Sequence, residues 1–132
     1  MRTDYTPRMQ TLDEREGGLL RWQWSLYPNA HVDRRNLALH AVTAPLFEVG
    51  TCALLAAPFL GAAGAVAGGA AMLAAIVAQG RGHKIEQTRP VPFRHAGDFV
   101  ARFFAEQWVT FPRFVLSGRF AEAWRKGGAP PE

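Results

Sequence analysis

Two short polar motifs bracket a stretch of this chain that carries no charge. His31-x₄-Asn36-x₃-His40 lies before it and Gly82-His83-x₂-Glu86 after it, and between Glu48 and Arg81 there is no Asp, Glu, Lys or Arg. If the stretch folds back on itself, both motifs arrive at the same end of a helical hairpin. Three histidines and a carboxylate then converge at the rim of an apolar compartment, a geometry suited to a metal centre acting on a lipid-like substrate. Asn36 and His40 share a helix face, as do His83 and Glu86 three apart, and a Glu–His pair at that separation is one way helical bundles present metal ligands. Imidazole plus carboxylate without thiolate is the donor set of non-haem iron and, less specifically, of zinc or manganese. Asn36 reads as a hydrogen-bonding group behind the ligands. The plainer account of the same residues is a set of polar caps at membrane ends.

The elements that must position these groups follow from composition. At 132 residues the chain is one domain. Residues 1–18 read as a mobile tail, compatible with a short helix at Leu12 to Arg15; they are polar and charged, so no signal peptide is expected. Residues 19–126 read as a single helical membrane domain and 127–132 as a disordered tail. An aromatic segment with Trp22, Trp24 and Tyr27 leads through a turn at Pro28-Asn29 to a helix beginning near His31, with Asp33 near its start, where a carboxylate suits the helix dipole. A single helix over the uncharged region would measure roughly 48 Å, against a hydrocarbon core of roughly 30 Å. Pro58, Gly61 and Gly64 offer a turn, which predicts two helices, about Ala41 to Ala57 and Ala62 to Gln79. Gly64, Gly68 and Gly69 would let their backbones approach closely. The fold class expected is all-α: a small helical bundle built around an apolar helical hairpin, embedded in a membrane. A buried hairpin in a soluble bundle is the competing reading.

Arg21, Arg34 and Arg35 before the hairpin and Arg81, Lys84, Arg89 and Arg94 after it put both hairpin ends in the cytoplasm by the positive-inside rule. The formal charge of +4 favours anionic partners, yet the scattered basic residues and the lack of a nucleic-acid motif argue against nucleic acid. Cys52 is the only cysteine, which excludes an internal disulfide and a thiolate cluster, and it reads as a small buried hydrophobe. Beyond Pro90-Val91-Pro92, Asp98 to Phe120 reads as an amphipathic aromatic helix interrupted near Pro112, its stripe packing on the hairpin or lying in the membrane interface. Glu106 could be a further ligand, but its i,i+4 spacing to Arg102 is the simpler account. His95 lies outside both motifs and is not counted as a ligand.

The run Tyr27-x₃-His31-x₄-Asn36-x₃-His40-x₄-Pro45-Leu46, the apolar hairpin, and then Gln79-x₂-Gly82-His83-x₂-Glu86-x₃-Pro90 together resemble the Mpo-type 2-hydroxy fatty acid dioxygenase family over about Trp24 to Phe93. The resemblance implies a small helical membrane protein carrying out iron(II)-dependent α-oxidation of a 2-hydroxy fatty acid, with O2 as co-substrate. It implies His31, His40 and His83 as iron ligands, Glu86 as a ligand or catalytic base, and Asn36 and Gln79 as hydrogen-bonding supports. Arg81, Lys84 or Arg89 could hold the substrate carboxylate, Arg89 being the residue singled out, although membrane anchoring explains the same charges. The chain has no dinucleotide fingerprint, and a 2-hydroxy acid can itself supply all four electrons, so no nicotinamide is required. Two other classes stand beside this one: a non-catalytic hairpin that binds lipid or a partner, and a zinc-dependent lipid hydrolase with Glu86 as general base. Whether the chain forms a homo-oligomer is left open by the sequence.

Overall fold

The structure is a computed structural model that describes Arg15 and residues 17–127. The expected C-terminal tail from 128 onward, and the expected N-terminal tail and short helix apart from Arg15, Gly17 and Gly18, lie outside the described residues. Among the described residues every regular element is helical. The order is α1 (Leu19–Leu26), a 3₁₀ turn (Tyr27–Ala30), α2 (Arg34–Leu55), α3 (Ala57–His83), α4 (Ala96–Ala105), a π turn (Glu106–Thr110), α5 (Phe111–Leu116) and α6 (Arg119–Lys126).

Helices α2 and α3 form the antiparallel hairpin and dominate the molecule. Asp33 caps α2, its side chain accepting from the Arg35 amide at 2.8 Å. The helix then runs 22 residues, through Pro45, before breaking at Ala56. The helix expected to begin near His31 and the leg expected over about Ala41 to Ala57 are thus one continuous helix, since the missing amide at Pro45 removes a single backbone bond that packing outweighs. The hairpin tip lies where Pro58 and the glycines pointed. A short helical turn from Ala57 ends at Gly61, whose φ of 71° belongs to the left-handed region open to glycine, and the second long run follows without interruption to His83. The two legs touch through glycine. A Cβ on Gly68 would stand 2.6 Å from the Gly50 carbonyl oxygen and 2.8 Å from the Leu54 amide nitrogen, so backbone meets backbone there.

The polar end of the hairpin is clasped by the rest of the chain. One apolar cluster joins Tyr27, Leu37, Ala44, Phe111 and Phe114; a second joins Phe47, Ala75 and Phe103. The aromatic stripe of α4 and α5 thus packs on the hairpin, with Phe103 5.0 Å from Phe47 ring to ring. Between α4 and α5 the ladder slips by one residue: the Phe111 amide donates to the Glu106 carbonyl five residues back, and Pro112, which has no amide to give, opens α5. The interruption expected near Pro112 is this π turn. Arg15, within the expected mobile tail, instead reaches Asp98 at 2.7 Å and lies over the Trp22 ring. Cys52 is exposed on the hairpin, not buried. Both long helices are long and apolar enough to cross a membrane, and α3 leaves Phe59, Val66 and Leu73 exposed.

Gly68→Ala should destabilise the chain by about 1–3 kcal/mol, because a methyl group cannot be placed there without separating the legs. Gly69→Ala, which meets nothing within 4 Å, should be neutral or stabilising by up to about 1 kcal/mol. Thermal unfolding of the two purified variants checks both.

Candidate metal centre

At the clasped end, His31, His40, His83 and Glu106 each offer one ligand atom, and the four atoms lie within 4.8 Å of one another. The Nε2 atoms of His31 and His40 are 3.3 Å apart. Glu106 Oε1 is 3.6 Å from Nε2 of His31, 3.4 Å from that of His40 and 4.0 Å from that of His83. His31 and His40 are almost fully buried, at 1% and 0% exposure.

Local backbone sets which nitrogen points inward. His31 follows the 3₁₀ turn, and its Nδ1 lies 2.9 Å from the Tyr27 carbonyl four residues back. His40 repeats the pattern on α2, its Nδ1 3.0 Å from the Asn36 carbonyl. A carbonyl can only accept, so in both rings Nδ1–H donates, and while the ring is neutral Nε2 keeps its lone pair. Burial lowers the His31 pKa, which favours the neutral ring needed of a ligand. Burial raises the Glu106 pKa, but the hydrogen bonds and charges that His31 and His40 supply when protonated outweigh it and hold the carboxyl well below the usual range.

Two unprotonated nitrogens facing each other at hydrogen-bond distance, beside a carboxylate oxygen, form a set of acceptors with no proton of their own to share. A cation placed among them resolves that conflict. With bonds of about 2.1 Å, neighbouring ligand atoms on a metal ion are roughly 3.0–3.4 Å apart, close to the shorter separations here. The residues fit a divalent ion that accepts imidazole and carboxylate. Tyr27 completes the inner layer: its ring stacks on His31 at 3.8 Å, and its hydroxyl donates to Glu106 Oε1 at 3.0 Å. Burial first, and then the Glu106 charge, push the phenol pKa well up, so Tyr27 stays a donor.

The carboxylate of this cluster is Glu106, whereas the sequence pointed to Glu86. Glu86 is buried nearby with its oxygens taken: Oε1 accepts from the amides of Val32 at 3.0 Å and Asp33 at 3.1 Å and from Asn36 Nδ2 at 2.8 Å. It fastens the end of α3 to the start of α2. The i,i+4 pairing expected for Glu106 is also absent among the described contacts. Arg102 turns instead to Asp98 and to the Val91 and Pro92 carbonyls, held between the rings of Trp22 and Phe93. The π turn is what swings Glu106 toward the histidines. Its signal in the sequence is a carboxylate followed by an amide, Glu106-Gln107, standing at core positions of an otherwise aromatic stripe.

Asn36 supports the centre through its carbonyl and its bond to Glu86, and it explains the neighbouring glycine: a Cβ on Gly82 would collide with the Asn36 amide oxygen. Gln79 is buried one turn before His83 and bonds to Gln107 and Thr43. His95 lies apart from the cluster, capping α4 by accepting from the Asp98 amide at 3.2 Å. The cluster opens into a cleft of about 920 Å³. Trp22, Ile76, Phe93, Phe99 and Phe103 give its walls an apolar character, and Lys84 and Arg89 add positive charge.

Glu106→Ala should weaken divalent-metal binding at least about 100-fold, beyond the roughly 10–100-fold typical of a group behind a ligand. Glu86→Ala should keep metal stoichiometry and cost about 2 kcal/mol or more of stability, since it strands two backbone amides and an asparagine. Metal analysis and thermal unfolding of the pair separate the two carboxylates.

Compared with known proteins, the chain matches no family model, no curated protein and no solved structure.

Proposed function

We propose that this chain is a membrane-embedded, iron(II)-dependent dioxygenase of the Mpo type, oxidising a 2-hydroxy fatty acid to carbon dioxide and the acid one carbon shorter. The overall change, RCH(OH)COOH + O2 → RCOOH + CO2 + H2O, balances without a further reductant. The observation that carries the reading is the convergence of three imidazoles and one carboxylate at the end of an apolar cleft. Iron(II) held there supplies a coordination site for the substrate oxygens and for O2.

The chain's own groups divide the remaining work. His31 and His40, each locked by a backbone carbonyl, present Nε2 in a fixed direction. Glu106 offsets one of the two charges of the ion, and the Tyr27 hydroxyl fixes Oε1 of that carboxylate. Lys84 and Arg89 supply positive charge on the cleft wall for a substrate carboxylate, and Phe99, Phe103 and Ile76 give the acyl chain an apolar path. Trp22 and Phe93 help to limit water there.

Membrane embedding is supported by the outward faces of the hairpin. Only 11% of the most apolar window of α3 is buried, a pattern suited to a lipid neighbour and unlike a core helix. Arginines and lysines gather at the other end of the legs, in keeping with cytoplasmic hairpin ends. The hydrolase alternative is weakened because Glu86, its intended base, spends its oxygens on α2. A purely lipid-binding hairpin gives no reason for three imidazoles and a carboxylate to converge.

The detergent-purified chain, loaded anaerobically with Fe(II), should consume one O2 and release one CO2 per 2-hydroxy fatty acid, and Glu106→Ala should abolish the uptake. An iron-loaded chain that consumes no oxygen with these acids would overturn the dioxygenase reading. Carbonate-washed membranes should retain the protein in the pellet, and its release would overturn the embedding.

A further inference from the structure

Beside the metal ligands on three separate elements lies a second polar set that the chemistry above does not use. Thr43 is three residues after His40 on α2, Gln79 four residues before His83 on α3, and Gln107 next to Glu106 on the π turn. All three are buried, Gln79 and Gln107 to 1% and 0% exposure. The two glutamines bond reciprocally: Gln79 Nε2 donates to Gln107 Oε1 at 2.9 Å, and Gln107 Nε2 donates back to Gln79 Oε1 at 2.8 Å. Gln79 Nε2 also donates to Thr43 Oγ1 at 3.0 Å, and the Thr43 hydroxyl donates to the Leu39 carbonyl at 2.6 Å.

Burying two amides and a hydroxyl is costly unless each finds its partners, and leucines of similar size would fill the same space with no polar groups to satisfy. Apolar contact also tolerates sliding and rotation of one helix on another. A reciprocal amide pair does not, because both bonds are lost when either helix turns. The pair therefore constrains elements that apolar contact alone would leave adjustable, and it acts next to a π turn whose slipped ladder is what aims Glu106.

We propose that Gln107, Gln79 and Thr43 form a positioning layer that sets the mutual spacing of Glu106, His83 and His40, and so tunes the affinity and coordination geometry of the metal centre. The layer rests on the metal-centre reading. None of its members is a ligand: Gln107 acts through Glu106, Gln79 through His83 and Thr43 through His40.

The test uses the full chain in detergent, titrated with Co(II) and followed by its visible d–d absorption, which reports ligand geometry independently of turnover. In Gln79→Leu/Gln107→Leu both partners become apolar, so no buried amide is stranded and the melting temperature should stay near that of the parent. Its Co(II) affinity should fall about 10- to 100-fold with a shifted d–d spectrum. Thr43→Val should shift both in the same direction by a few-fold, and Thr43→Ser should restore them. A folded double variant with parental affinity and spectrum would reduce the layer to packing. If the double variant fails to fold, parental behaviour of Thr43→Val would overturn the layer in the same way. A parent that binds no Co(II) would overturn the metal centre itself, and the layer with it.

Discussion

A partly buried carboxylate beside two imidazoles whose outer nitrogens are already committed to backbone carbonyls is the constraint on which this molecule turns. Because the Tyr27 and Asn36 carbonyls each hold an Nδ1–H, the inward nitrogens of the neutral His31 and His40 rings are acceptors. Together with Glu106 they form a pocket of lone pairs that protein groups do not neutralise, apart from the single hydroxyl of Tyr27. Much of the surrounding architecture holds that arrangement in place. The 3₁₀ turn delivers the Tyr27 carbonyl, the first turns of α2 deliver that of Asn36, and the π turn delivers the carboxylate.

Three acids, Glu86 and Asp98 buried and Glu106 partly buried, show how environment divides one chemistry into three roles. Glu86 faces backbone amides and joins α3 to α2. Asp98 faces Arg15, Arg102 and the Arg94 amide, and ties the start of α4 to the N-terminal segment. Glu106, in contrast, faces histidines and a phenol. Charged partners or backbone donors satisfy the first two, which makes them structural. The third has partners that gain from a shared cation, which is what distinguishes a candidate metal ligand from a helix fastener.

The hairpin separates these polar tasks from an apolar one. Its far half carries no charge and touches itself through Gly50 and Gly68, where side chains are too small to hold the backbones apart. Its near half is wrapped by α1 and the α4–α5 rod, whose aromatic residues close over the cluster and line the cleft beside it. A polar centre thus stands at the edge of a long apolar body.

The hairpin, its tip at Pro58 and Gly61, and the convergence of His31, His40 and His83 were legible in the sequence. Charge depletion, turn residues and helical spacing are local properties, and folding back a helix of known rise fixes which ends meet. Gly82 beside His83 was visible too, although its reason, the Asn36 oxygen against it, was not. The identity of the fourth group was decided only by tertiary structure. In the linear chain Glu86 sits three residues from His83 and Glu106 sits four from Arg102, so local spacing favoured Glu86 over the carboxylate that faces the histidines. Glu86 was drawn away by unsatisfied amides at the start of α2, and Arg102 by Asp98, two carbonyls and two rings. The slipped turn before Pro112 then brought Glu106 across to histidines far from it in sequence. Spacing along one helix can say which side chains share a face, but competition among distant partners for buried donors and charges is settled only when the helices have packed.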